Sequence, residues 1–359
     1  MSPDRLLPEF AARLIAWQQT HGRHDLPWQG GDIGDLDPYP IWLSEIMLQQ
    51  TQVETVIPYF SRFLARFPDL ASLAAAADDA VMARWAGLGY YSRARNLHAA
   101  AKRIAAEHGG RFPEHLDAIQ ALPGIGRSTA AAIAAFAFGQ RRAILDGNVK
   151  RVLARLFAVE GWPGEKAVEN RLWQLAEALM AEALLPEPGI RAYTQGLMDL
   201  GATVCTRSRP RCDDCPFSDD CLANRLGRQA ELPGARPRKI QPSRSTAMLV
   251  LVHAGEVLLE KRPPSGIWGG LWRLPESPAA GDPAEAATGL GFRVEEAQPL
   301  PAFVHGFTHF RLHIQPWLLQ VARPLAAGEP GRLWLPLDDL DGAALPTPVR
   351  RILLNLEGH

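Results

Sequence analysis

The stretch from Leu122 to Asn148, LPGIGRSTAAAIAAFAFGQRRAILDGN, constrains the chain more than any other. Leu122-Pro123-Gly124-Ile125-Gly126 spells a tight turn with two glycines. Ser128, Thr129 and an alanine-rich apolar run follow it, which propensity and periodicity both read as a helix. Glycines allow positive φ and let a ligand approach the bare main chain, while a new helix offers unpaired N–H groups and a positive dipole end. Together they bind a phosphate without a side chain. Taken alone, the turn is equally a plain loop with Ser128 as an N-cap. Downstream, Asp146 is the one acid among Arg141, Arg142, Lys150 and Arg151, at a Gly-Asn turn after a short apolar run.

With 359 residues, 47% hydrophobic and 21% charged, the chain has the composition of about two globular domains. No segment reaches the roughly 20 apolar residues that a membrane span needs. The N-terminus carries Asp4 and Glu9 and no long apolar run, so no export signal is read and a soluble intracellular protein is expected. The net charge of −1 hides local asymmetry. Arg225, Arg228, Arg236, Arg238, Lys239 and Arg244 face one acid, Glu231, between residues 223 and 245. A second basic group is Arg84, Arg93, Arg95, Lys102 and Arg103, and a third is Arg141, Arg142, Lys150, Arg151 and Arg155. Such patches fit a polyanion-binding face or solvated helix faces.

In chain order, Phe10, Leu14 and Trp17 recur at helical spacing within an amphipathic helix from Asp4 to Gln19. A loop from Leu26 to Pro40 follows. Pro40 suits a first helical position, so the next helix is expected to begin there and to run through Ile41-Trp42-Leu43-Ser44-Glu45-Ile46-Met47-Leu48. Glu45 interrupts large apolar neighbours. A carboxyl desolvated by them has a raised pKa and holds a proton near neutral pH, whereas one turned to solvent or paired with an arginine does not. On that helix Glu45, Leu48 and Gln49 share a face, with Gln50 at its edge.

The four cysteines, Cys205, Cys212, Cys215 and Cys221, are spaced C-x₆-C-x₂-C-x₅-C within 17 residues. Four thiolates so close suit one soft metal centre, zinc or a [4Fe–4S] cluster. From Ala223 to Ser245 the Arg, Pro and Gly content reads as a linker. Beyond it the pattern changes to strands, at Thr246–His253, Glu256–Glu260 and Arg311–Val321.

Several of these residues together carry a family resemblance. Ser44-Glu45-Ile46-Met47-Leu48-Gln49-Gln50-Thr51, Gly87-Leu88-Gly89-Tyr90-Tyr91, the hairpin with Asp146, and the cysteine spacing resemble the MutY-type members of the helix-hairpin-helix base-excision glycosylases. Gly269-Gly270-Leu271-Trp272-Arg273-Leu274-Pro275-Glu276 resembles the opening of a Nudix box, but its carboxylate-rich remainder is missing, leaving nothing to hold magnesium on a diphosphate. The resemblance implies an all-α helix-hairpin-helix glycosylase domain over 1–222 with a [4Fe–4S] loop on the four cysteines, a linker at 223–245, and an α+β Nudix-like domain over 246–359. It implies Glu45 as general acid and Asp146 at the sugar. DNA and base contacts are carried over to Trp28, Leu48, Gln49, Gln50, Tyr90, Gly124, Gly126, Ser128 and Asn148. Phe307-Thr308-His309 stands where the family reads 8-oxoguanine with Phe-Ser-His, Thr keeping the hydroxyl. The substrate implied is duplex DNA with adenine opposite 8-oxoguanine or guanine. Ser128 replaces the lysine nucleophile of bifunctional relatives, so hydrolysis without strand cleavage is expected. The competing readings are an endonuclease III-like lyase, a non-catalytic iron–sulfur DNA-binding protein and a Nudix hydrolase.

Overall fold

A computed structural model of the chain describes residues 9–30, 37–182, 187–237, 240–322 and 331–356. Two compact units emerge. One is drawn from Met1–Ala74 and Ala99–Arg238 and the other from Ala75–His98 and Lys239–His359. The first is helical, the second is built on a sheet, and among the described residues no helix is long and apolar enough to cross a membrane. The expected first helix runs Phe10–His21; Asp4 to Pro8 lie outside the described residues, as do Arg238 and Lys239 of the basic stretch.

In the helical unit the Pro38–Leu48 helix begins two residues before the expected Pro40. The Asp37 side chain fixes its start by accepting the Tyr39 N–H at 2.9 Å, and Pro38 needs no hydrogen-bond partner there. Ile41, Trp42, Leu43, Ile46 and Met47 are all buried, as expected of a helix apolar on nearly every side. It packs on the Arg127–Phe138 helix, whose Ala130 to Ala135 are buried and keep the two backbones close. One core joins Phe10, Leu14, Leu145, Val149, Leu153, Tyr193, Leu197 and Phe217, with Phe10 stacked on Phe217 at 4.5 Å. Gly196 lets the Glu187–Asp199 helix cross Phe10–His21, since a Cβ there would lie 3.1 Å from Leu14 Cγ.

Two of the expected surface cations are interior. Arg155 is 3% exposed and donates to the carbonyls of Leu232, Thr206 and Arg207. Arg93 is 7% exposed and donates to the Gly89 carbonyl at 3.2 Å. Both serve the backbone, because a guanidinium can satisfy several carbonyls at once.

The second unit holds an eight-stranded mixed sheet of β1 (Ser243–His253), β2 (Glu256–Lys261), β3 (Trp272–Arg273), β4 (Glu276–Ser277), β5 (Arg293–Pro299), β6 (Phe303–Gly306), β7 (Arg311–Ala322) and β8 (Arg332–Pro336). Its main path is β3-β2-β1-β7-β5, with β4 on β1, β6 on β7 and β8 on β2. Positive φ at Ala254 and Gly255 closes the β1–β2 hairpin. The three expected strands correspond to β1, β2 and β7; the others are too short or too polar to announce themselves by alternation. The Pro283–Gly289 helix packs on β1 and β5 and carries Glu285 as its one carboxylate.

A π-helical turn at Leu200–Val204 follows the Glu187–Asp199 helix, and Gly201 presses on Asn148. A Cβ at Gly201 would lie 2.6 Å from Asn148 Cβ and 3.1 Å from its Cα. Gly201→Ala is therefore expected to destabilise the protein by about 1–3 kcal/mol through overpacking. A thermal melt checks this, and an unchanged midpoint would mean that the Asn148 backbone yields at no cost.

Candidate active site

Glu45 lies on the last full turn of its helix and lines a cavity of about 310 Å³. Trp28, Leu48, Phe136, Gln18, Arg23 and Gln195 are among the other walls. The volume falls at the lower end of ligand pockets. Burial, and secondarily the charge of nearby Asp146, raises the Glu45 pKa to about 8. The carboxyl therefore faces the cavity as a neutral acid at pH 7.

Asp146 is the N-cap of the Gly147–Leu156 helix and accepts the Val149 N–H at 2.7 Å. Its own pKa is raised by burial, against which the N–H groups of Val149 and Asn148 and the charges of Arg151 and Lys150 hold it down. These donors favour the anion, as does the dipole of the helix it caps. The arrangement sets two buried carboxyl groups within electrostatic reach of each other, Glu45 among apolar neighbours and Asp146 accepting backbone N–H groups.

The hairpin does less with its glycines and more with its side chains than expected. Only Gly124 uses positive φ, at +78°, while Gly126 is extended at φ −87°. Gly126 rather than Ser128 is the N-cap, and no side chain caps the new helix. Ser128 is turned inward: its hydroxyl accepts the Leu145 N–H at 2.9 Å, tying the hairpin to the residue before Asp146.

Gln49 is not on the face of Glu45. The helix stops at Leu48, and Gln49 is its non-helical C-cap, reaching the Gly124 carbonyl at 3.4 Å and Thr129 Oγ1 at 3.3 Å. Gln50 follows in the left-handed region at φ +59° and is exposed. Asn148 also points inward. Arg151 donates to its Oδ1 at 2.8 Å, to the Gly201 carbonyl at 2.6 Å and to the Cys205 carbonyl at 2.7 Å. Trp28 packs edge-on against Phe60, with ring centres 5.3 Å apart.

Sequence reasoning left out a polar network in this wall. Asp199 is fully buried, accepts the Arg23 N–H and guanidinium, and accepts the Gln195 side-chain amide at 2.8 Å. Arg23 and Asp199 are 176 positions apart, so no local pattern announces the pair. The i, i+4 spacing of Gln195 and Asp199 on one helix is the local signal that points to part of this network.

The four thiols are free of disulfides, and Cys205 begins where the π-helical turn ends. Burial, followed by the mutual repulsion of Cys205, Cys221 and Cys212, pushes the Cys215 thiol up to about 12. Among the described residues no three His, Cys, Asp or Glu side chains stand at metal-ligand geometry. The donor chemistry nevertheless suits a soft metal: four cysteine sulfurs within 17 residues can serve as thiolates around one cation. Arg207, Arg209 and Arg211 of the same loop are exposed.

In the other unit, Tyr90 is half-exposed at φ +49° with the Arg93 guanidinium 5.3 Å from its ring centre, while Tyr91 is buried. Phe307, Thr308 and His309 form the turn between β6 and β7. Phe307 is half-buried and stacked on Phe310 at 4.3 Å, and Thr308 and His309 are exposed.

Residues 43–178 match the family described as HhH-GPD superfamily base excision DNA repair protein, and residues 246–355 match the NUDIX domain. The chain is 33% identical over 350 residues to an adenine DNA glycosylase of Buchnera aphidicola subsp. Acyrthosiphon pisum, with 97% of each chain covered. It is 35% identical to an adenine DNA glycosylase of Homo sapiens, over 98% of this chain and 74% of that one. A solved thermostable thymine-DNA glycosylase superposes with a TM-score of 0.53 at 29% identity, covering 60% of this chain and 95% of its own. With such relatives along nearly its whole length, and a helical glycosylase part followed by a Nudix-like part, the chain belongs to the MutY-type adenine DNA glycosylases.

Proposed function

We propose that the protein acts in base excision repair by hydrolysing the N-glycosidic bond of adenine mispaired with 8-oxoguanine, or with guanine, in duplex DNA. The observation that carries this reading is Glu45, a carboxyl with its pKa raised to about 8 on the wall of a 310 Å³ cavity, with Asp146 within electrostatic reach. The stacked base is inaccessible to chemistry, so adenine is flipped out, at a cost of a few kcal/mol that is least for a mispair. Trp28 and Leu48 flank the base in the cavity, and Gln50 and Tyr90 fill the vacated space. Gln49 supports the hairpin, whose Gly124–Gly126 backbone takes a DNA phosphate at the uncapped helix start. Asn148 contributes by holding the Asp146 helix in place.

Protonated Glu45 gives its proton to adenine N7, and the base departs as a neutral purine. The sugar left behind has oxocarbenium character, which the Asp146 carboxylate stabilises. Water then adds to the sugar carbon and passes its proton to the carboxylate that Glu45 has become, which restores the acid. Ser128 occupies the position of the lysine in bifunctional relatives and is engaged with Leu145, which supports a monofunctional enzyme. The protein works as a monomer in the cytoplasm, on the nucleoid.

Cys205, Cys212, Cys215 and Cys221 would hold a [4Fe–4S] cluster whose contribution is structural, presenting Arg207, Arg209 and Arg211 to backbone phosphates. Phe307, Thr308 and His309 meet the oxidised guanine, with the Thr308 hydroxyl as a donor.

Three outcomes are expected. Glu45→Gln abolishes adenine release from a duplex with adenine opposite 8-oxoguanine while mismatch binding persists in a gel-shift titration; retained release would remove Glu45 from its role. Because Asp146 must be ionised as well as Glu45 protonated, the single-turnover rate should drop at acid pH, as Asp146 takes up a proton, and on the alkaline side should fall about tenfold per pH unit above pH 8. A fall with rising pH centred near pH 4.5 instead would mean that Glu45 titrates as an ordinary glutamate. Freshly purified protein should be brown with broad visible absorbance, and a colourless protein would leave zinc or no metal.

A further inference from the structure

Trp268 occupies the left-handed region at φ +54°, a costly conformation for so large a side chain. Such a residue persists only where its surroundings over-determine it. The loop is fixed on both sides. Arg262 donates to the Ile267 carbonyl at 3.0 Å and sets its guanidinium 5.6 Å from the Trp268 ring centre. On the other side the Gly269 carbonyl accepts from Arg95 at 2.6 Å, and a Cβ at Gly269 would come within 2.6 Å of the Pro264 carbonyl oxygen. The strain serves the placement of one ring.

Trp268 is 8% exposed, and its ring packs against Phe307, with centres 5.2 Å apart, and against His305 at 5.7 Å. His305 meets Phe307 edge-on at 4.7 Å, and Phe307 stacks on Phe310 at 4.3 Å. Phe307 N–H donates to the Phe310 carbonyl at 2.9 Å, closing the turn. Phe307 is the half-buried member of its triplet and Thr308 and His309 are the exposed ones, so the anchor of the turn is the residue that Trp268 touches.

We propose that Trp268 is a positioning residue for the Phe307–Thr308–His309 turn, and that its ring sets how strongly the protein prefers adenine opposite 8-oxoguanine to adenine opposite guanine. This rests on the reading that the turn meets the oxidised guanine. The two guanines differ by one oxygen and one N–H, so a donor or acceptor on the turn discriminates only if its position is held to a fraction of an ångström. Removing the Trp268 ring frees Phe307 to repack and lets the exposed tip move. Excision opposite guanine does not use the extra groups and is spared.

The test measures single-turnover adenine release by the full chain, at enzyme below saturation, on duplexes with adenine opposite 8-oxoguanine or opposite guanine. Trp268→Leu and Trp268→Gly should each lower the 8-oxoguanine rate about tenfold or more, the size of one lost hydrogen bond. The guanine rate should stay within about twofold, near the error of one such comparison. Trp268→Gly relieves the positive φ while deleting the ring, so its loss reports the ring and not the backbone, and it serves if Trp268→Leu fails to fold. Trp268→Phe, which keeps an aromatic ring, should retain most of the preference. A full preference in both ring-less variants overturns the proposal, as does an equal fall on both duplexes. A wild type without any preference would instead refute the reading of the turn itself.

Discussion

An acid side chain stays protonated at neutral pH only if its surroundings refuse the charge and cannot relax to admit it. Glu45 meets that condition through the stiffness of its helix as much as through apolar neighbours. Asp37 fixes the first turn, and the buried Tyr39 hydroxyl donates to the Phe67 carbonyl at 2.8 Å. Trp42 and Met47 have no exposed surface, so the helix has no room to rotate. Close packing of this kind has little capacity to rearrange. The alanine-rich helix beside it carries one long cation, Arg127, which is engaged with Glu177 and lies over the Trp173 ring, and desolvation dominates the proton affinity of Glu45.

The opposing carboxylate is held by different means. Asp146 belongs to its own helix as a cap, and that helix is tied to the cysteine-bearing segment by two arginines. Arg151 reaches Asn148, Gly201 and Cys205, and Arg155 reaches Thr206, Arg207, Leu232 and, at 3.4 Å, the Cys205 sulfur. Planar forks with several donors suit this work, because each satisfies carbonyls from more than one strand of chain. The cysteine segment is thus mechanically continuous with the start of the Asp146 helix.

Much of this is legible in the sequence itself. Helical spacing places Phe10, Leu14 and Trp17 in the core, and alternation finds β1, β2 and β7, while the apolar run around Glu45 leaves its carboxyl either desolvated or turned to solvent, a choice that packing makes. The failures share a cause. Periodicity describes one element at a time, so it cannot see Arg23 reaching Asp199, or Trp268 supporting Phe307. Charge counting placed Arg93 and Arg155 on the surface, although each folds inward to feed carbonyls. Gln49 was assigned to the Glu45 face because helix ends are set by caps and tertiary contacts, which propensity does not resolve. Glycine composition alone could not separate Gly124, which needs its positive φ, from Gly126, which does not.

The parallel pairing of β1 with β7 has a consequence for how the second unit is assembled. Ser243 lies opposite Arg311 and Val252 opposite Gln320, so the partners are 68 positions apart, 311 less 243, along the entire ladder. A parallel pair cannot be closed by a tight turn, and a contact of such long range is slow to form. During synthesis β1, whose residues 247–252 are all buried in the finished sheet, must wait for Arg311–Ala322 to emerge. Its hairpin with β2 covers one edge early, and the other edge stays without its partner strand until β7 has been made.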